Sequence, residues 1–125
     1  MISGKVNLQR EAVISVSFLD AGGAEQPVEA VLDTGFTGEL TLPASLIEGL
    51  GLEFDGSRYA VLGDGSEILL DNYLGQIMWH GRPRRIAILE SEGGPLVGME
   101  LLEGSDVALR VQPDGKVAIE EFETP

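Results

Sequence analysis

The chain has 125 residues, 43% of them apolar, no cysteine, and a formal charge of −13 from 21 acids against 8 bases. That length suits a single domain spanning residues 1–125. The missing cysteines exclude thiol catalysis, thiolate metal sites and disulfide scaffolds together. So acidic a surface repels phosphate backbones and anionic membranes, which excludes nucleic acid and membrane as expected partners.

No apolar signal-type stretch follows Met1, and no run of about 18 apolar residues exists to span a bilayer. The expectation is a soluble, cytoplasmic protein. Short apolar runs broken by Gly, Asp and Pro predict an all-β domain. Glu11–Leu19 is rich in β-branched residues and predicts a strand; Asp20–Ala24 turns the chain, and Pro27–Leu32 returns. Leu40–Leu42 is short and extended. Pro43 suits the first turn of a helix over Ala44–Leu50, with Gly49 and Gly51 stopping it.

Arg58–Leu62 and Ile68–Leu70 flank Gly63-Asp64-Gly65-Ser66, a hairpin tip. Tyr73–Trp79 and Arg84–Leu89 form a further strand pair around His80-Gly81-Arg82-Pro83. A short helix is expected at Met99–Leu102. Val107–Val111 and Lys116–Phe122 are joined by Gln112-Pro113-Asp114-Gly115, a tight turn. The acidic end, residues 120–125, is expected to fray.

The candidate chemistry lies in Ala30-Val31-Leu32-Asp33-Thr34-Gly35-Phe36-Thr37-Gly38-Glu39-Leu40. An ionisable Asp follows an apolar strand and precedes a Gly, at the point where a strand ends in a tight turn. Taken alone, Asp-Thr-Gly is compatible with an ordinary β-turn. Its context adds Leu40-Thr41-Leu42-Pro43 after it, the glycine-tipped hairpin in mid-chain, and Leu96-Val97-Gly98 opening a short helix.

That ordered set, from about Val13 to Leu102, resembles the retropepsin-like (clan AA) single-domain aspartic proteases. The resemblance implies an all-β, retropepsin-like closed β-barrel with one or two short helices and a flap hairpin. It makes Asp33 catalytic with Thr34 and Gly35, places Leu96, Val97 and Gly98 under the active-site loop, and makes Val61–Ile68 a flap. Phe36, Thr37, Leu62, Gly63, Asp64, Gly65 and Ser66 become the expected substrate-binding residues. Phe36 stands where viral members commonly carry Ala or Ser, and Phe36-Thr37-Gly38 resembles some bacterial members instead. The tip Asp64, with Ser66-Glu67, is polar where viral flaps are apolar.

Metal-free peptide hydrolysis without a covalent nucleophile needs one group to deprotonate water and another to protonate the carbonyl oxygen. Two carboxylates about 3 Å apart serve both purposes, because the pair shares one proton and titrates as a unit. One Asp-Thr-Gly is present, so a C2 homodimer must bring the partner's Asp33 beside Asp33. By the same resemblance, the Thr34 hydroxyl bonds across the dyad. Two chains of −13 repel one another, so the dimer is expected to tighten with ionic strength. The partners expected are thus a second copy of the chain and a peptide or protein substrate, with no cofactor and no metal.

Other residues carry less. His80 is the one histidine and has no cysteine or spaced histidine to build a zinc site. Arg82, Arg84 and Arg85 read as a solvated face pairing with nearby acids. Asp55-Gly56-Ser57 and Asp64-Gly65-Ser66 lack the ligand spacing of a calcium loop. Gly93-Gly94-Pro95 lacks that of a phosphate loop. Two further readings stay open: a proteolytically inactive retropepsin-like binding or dimerisation module, and a generic acidic β-barrel in which Asp-Thr-Gly is a turn.

Overall fold

The structure, a computed structural model, describes residues 1–123. These form ten strands and two short helices, in the order β1 (Ile2–Val6), β2 (Ala12–Leu19), β3 (Glu25–Leu32), β4 (Leu40–Leu42), α1 (Ala44–Leu50), β5 (Glu53–Val61), β6 (Glu67–Trp79), β7 (Arg82–Glu90), β8 (Leu96–Val97), α2 (Met99–Leu102), β9 (Ser105–Leu109) and β10 (Lys116–Glu121). Among the described residues, no helix is long and apolar enough to cross a membrane.

Alternation fixes the central strand. In β2 the residues Ala12, Ile14, Val16 and Phe18 are buried and their neighbours are not, the period-2 pattern of a strand with one face on the core. β2 pairs along its length with β3, from Val13 opposite Val31 to Leu19 opposite Glu25. Its other side is shared: Ala12–Ile14 pair with β1, and Ser17–Leu19 pair with Gln76–Met78 of β6. The strand order β5-β6-β7-β4-β8-β3-β2-β1-β10-β9 therefore folds back on itself, closing a ring of six strands from β6 to β2. The closing contact spans three residue pairs, and β5, β1, β10 and β9 lie outside the ring. The fold is all-β and retropepsin-like in its elements, but the expected closed barrel is not a clear one.

The ring wraps a core that includes Ile14, Phe18, Leu40, Leu42, Ile77, Ile88 and Leu101. A smaller cluster of Phe36, Ala60 and Leu89, with Leu70 and Leu96 against it, lies under the hairpin. Pro43, expected in the first turn of α1, stands just before it as the extended N-cap, and Gly51 ends the helix in the left-handed conformation (φ 66°), which a residue without Cβ adopts readily.

Two sequence expectations change. Ile68–Leu70 and Tyr73–Trp79 are one thirteen-residue strand, because Asn72 is buried and donates to Asp55 Oδ2 across the hairpin (3.3 Å). The first half of β6 pairs with β5 as a projecting hairpin, and its second half enters the ring. The polar end also orders later than expected: Glu120 and Glu121 complete β10 opposite Asp106 and Ser105. Residues 124–125 of the expected frayed tail lie outside the described residues.

Candidate active site

Asp33 is the first residue beyond β3, and the parallel pairing of β3 with β8 sets its height. Leu32 lies opposite Val97, and the Asp33 N–H then donates to the Val97 carbonyl (2.9 Å). The N–H of the same peptide unit, on Gly98, donates to the Glu39 carbonyl (3.0 Å). One peptide group thus grips both ends of the 33–39 loop. Two more bonds follow from α2: Met99 N–H to the Phe36 carbonyl (2.8 Å) and Glu100 N–H to the Gly38 carbonyl (3.2 Å). Within the loop, Asp33 Oδ1 accepts from the Gly35 N–H (2.9 Å), and the Asp33 carbonyl accepts from Phe36 N–H (3.2 Å).

This grip demands glycine. A Cβ on Gly98 would overlap the Gly38 carbonyl oxygen and stand 2.6 Å from the Phe36 ring. One on Gly38 would meet the same ring at 2.6 Å. The Phe36 ring is 3% exposed and fills the space between these two glycines. The residue expected at the substrate face therefore lies beneath the loop, among Ala60, Leu89, Leu70 and Leu96. Thr37 is exposed on the loop surface.

Two side chains that sequence reasoning passed over complete the support. Glu39 Oε1 accepts from the Ala87 N–H (3.0 Å), and its Oε2 pairs with Arg84 (3.1 Å), fastening the end of the loop to β7. Thr41, buried in β4, accepts the Leu96 N–H at its Oγ1 (3.0 Å) and so holds β8. The partners lie 48 and 55 residues away in sequence, and no local pattern signals them.

The hairpin of β5 and β6 reaches over the loop. Its tip is closed by Leu62 N–H to the Ser66 carbonyl and Gly65 N–H to the Leu62 carbonyl, both 2.9 Å. Asp64 Oδ1 accepts from the Ser66 hydroxyl (2.6 Å) and N–H (2.9 Å). The Ser66 hydroxyl, followed by its N–H, holds the Asp64 carboxyl below the usual range. Gly63 descends onto the aspartate turn: a Cβ on Gly35 would stand 3.2 Å from the Gly63 Cα and 3.2 Å from Asp33 Oδ1. The expected flap residues and the Asp-Thr-Gly turn thus meet.

On its other side, Asp33 opens with Thr34 onto a cleft of about 910 Å³, walled by Met99, Leu102, Val107, Leu109 and Phe122. Asp33 is half-buried and Thr34 exposed. Among the described residues, the Thr34 hydroxyl has no hydrogen-bond partner. A half-buried carboxylate on a rigid turn, under a glycine tip and beside an open apolar cleft, can hold a proton or a water at a fixed point.

No protein-family model matches the chain, and no curated protein matches its sequence. Among solved structures, it is similar to the crystal structure of a retropepsin-like aspartic protease from Rickettsia conorii. The TM-score is 0.57 at 15% identity, over 98% of this chain and 91% of that one. At that identity the likeness establishes the fold.

Proposed function

We propose that this chain, whose fold is retropepsin-like, is an aspartic endopeptidase that acts as a homodimer. Asp33 of each subunit supplies one carboxylate of a dyad; one carboxylate takes a proton from water while the other protonates the scissile carbonyl. The observation that carries this reading is the grip of the Val97–Gly98 peptide on both ends of the loop, which fixes Asp33 where a strand ends. Fixed placement is what proton transfer from a bound water requires. The Thr34 hydroxyl, exposed beside Asp33 and without a partner among the described residues, is free to bond across the pair. Gly35 leaves room for the tip of the hairpin.

The substrate is a peptide segment laid between the 33–39 loop and the hairpin tip. Leu62, Gly63, Asp64, Gly65 and Ser66 form its upper wall and Thr37 part of its lower one; Phe36 acts from below, by holding the loop. Cleavage of an unfolded protein by the wild type and by Asp33→Asn tests the reading. The wild type is expected to cleave, and Asp33→Asn to lose activity by about 10²–10⁴-fold with the dimer intact, as expected when a general acid–base group is removed. Full activity in Asp33→Asn would remove Asp33 from the chemistry.

One observation favours the alternative of a non-proteolytic binding or dimerisation module. The hairpin tip already lies against the Asp-Thr-Gly turn, with Gly63 where a peptide would have to enter. An inactive wild type that still dimerises would select that reading.

A further inference from the structure

We infer that the outer face of the β5–β6 hairpin docks an extended, arginine-bearing segment of another protein, held by Tyr59, Glu67 and Asp71. The site stands apart from Asp33 and does not depend on the proposed chemistry.

Register sets the two faces of the hairpin. Facing residues of an antiparallel pair share a side of the sheet, and successive residues of a strand alternate between sides. Ala60 of β5 and Leu70 of β6 point inward, onto the cluster with Phe36 and Leu89. The outer side therefore carries Tyr59 facing Leu69, Val61 facing Glu67 and Ser57 facing Asp71. Tyr59 is 72% exposed and Leu69 57%. An aromatic ring and a leucine side by side in solvent leave apolar area for a partner to cover.

Charge decides what covers it. Glu67 and Asp71 are the diagonal neighbours of Tyr59 on this face, about 7–8 Å away in an antiparallel pair. Both are exposed, and among the described residues neither is in an ion pair. Asp71 Oδ1 accepts from the Ser57 hydroxyl over a long 3.5 Å. The one base of the hairpin, Arg58, faces Leu70 on the inner side and pairs with Glu100 (3.8 Å). A ring between two carboxylates, with no base on its own side, suits a guanidinium, which stacks on aromatic faces and forks onto carboxylate oxygens. β5 also ends the strand order, and among the described residues nothing pairs with its outer edge. An extended segment can add its backbone there. Its arginine then lies across the Tyr59 ring toward β6, where both carboxylates stand, and its apolar neighbours find Leu69 and Val61. A second copy docked by this same face would set Glu67 and Asp71 against the same acids, which is repulsive.

Fluorescence anisotropy of a labelled peptide alternating arginine with valine tests the site, in an Asp33→Asn background so that cleavage does not deplete the probe. Saturable binding is expected, and a lysine counterpart should bind about threefold more weakly, lacking the planar fork. Tyr59→Leu keeps an apolar residue opposite Leu69 and removes the ring; it should weaken binding about threefold. Glu67→Gln/Asp71→Asn should weaken it about tenfold. Glu25→Gln/Glu48→Gln removes the same charge from exposed positions on β3 and α1, and should leave binding within about twofold. Circular dichroism checks that each variant folds; should Tyr59→Leu misfold, the carboxylate pair tests the same site. Absence of binding, site variants that bind like their parent, a lysine peptide bound as tightly, or equal weakening by the distant pair each overturns the site. None of these readouts involves catalysis, so their failure leaves the proposed dyad standing, and an inactive wild type leaves the docking site standing.

Discussion

Two glycine-bearing turns meet over Asp33, and they are held in opposite ways. The 33–39 loop is tied from outside by backbone bonds from Val97, Gly98, Met99 and Glu100, across some sixty residues of sequence. Its glycines leave no room for a side chain: a methyl group on Gly38 or Gly98 runs into the Phe36 ring or a carbonyl oxygen. Among the described residues, the hydrogen bonds of the hairpin tip run within it, between residues 62 and 66. A Cβ on Gly63 or Gly65 meets nothing within 4 Å. Long-range ties make the position of Asp33 a property of the whole fold, whereas local ties let the tip hold its shape independently of where it rests. A rigid floor and a self-contained cover is an arrangement suited to admitting and enclosing a chain segment.

The largest expected effect separates the two turns directly. Gly98→Ala should destabilise the protein by about 2–3 kcal/mol, since backbone on both sides must shift to admit the methyl group. Gly63→Ala should change stability by less than about 0.5 kcal/mol, as expected for an exposed site with open space. Urea denaturation of both variants makes the comparison; equal losses would mean that the tip is as closely supported as the loop.

A smaller effect probes the fastening of the loop to β7. Glu39→Ala leaves the Ala87 N–H without its acceptor and Arg84 without its partner, at a cost of about 1–2 kcal/mol. Glu39→Gln keeps an oxygen for Ala87 and loses the ion pair with the partly exposed Arg84, which should cost about 0.5 kcal/mol. If both variants lost the same amount, the ion pair rather than the backbone bond would be the tie.

The sequence made much of this legible, because the relevant signals were local. A run of β-branched residues marked β2, Pro43 and Gly51 marked α1, and the glycine-rich tip marked the hairpin. Asp33-Thr34-Gly35 and Leu96-Val97-Gly98 were singled out as a set, and the fold brings them into contact. What stayed hidden depends on distant partners. β1 has no apolar alternation to announce it; Gly4 fits there because a Cβ would overlap the Val13 carbonyl of β2. Asp71-Asn72 looks like a break within β6 until Asp55 is placed across from Asn72. Arg84 read as one of three solvated bases until Glu39 was placed beside it. Phe36 invited a surface role because the space beneath the loop, which its ring fills, is created by Gly38 and Gly98 together.

The smallest expected effect asks whether the tip is held by its own side chains. Asp64 is fully solvated, and the Ser66 hydroxyl and N–H keep its carboxyl below the ordinary value of 3.8. A depressed value means that the folded tip favours the carboxylate. The contribution is therefore complete above pH 3.8 and is lost as pH falls through the lower folded value. In an NMR titration, the Ser66 amide should move with an inflection below 3.8, and Asp64→Asn should abolish it. The Gly98 amide, bonded to the Glu39 carbonyl, should not follow the same inflection, because its partner carries no titrating proton. An inflection at 3.8 or above in the Ser66 amide would mean that Asp64 does not grip its own turn. The tip would then draw its shape from Gly35 and the loop beneath, and the two turns would move as one.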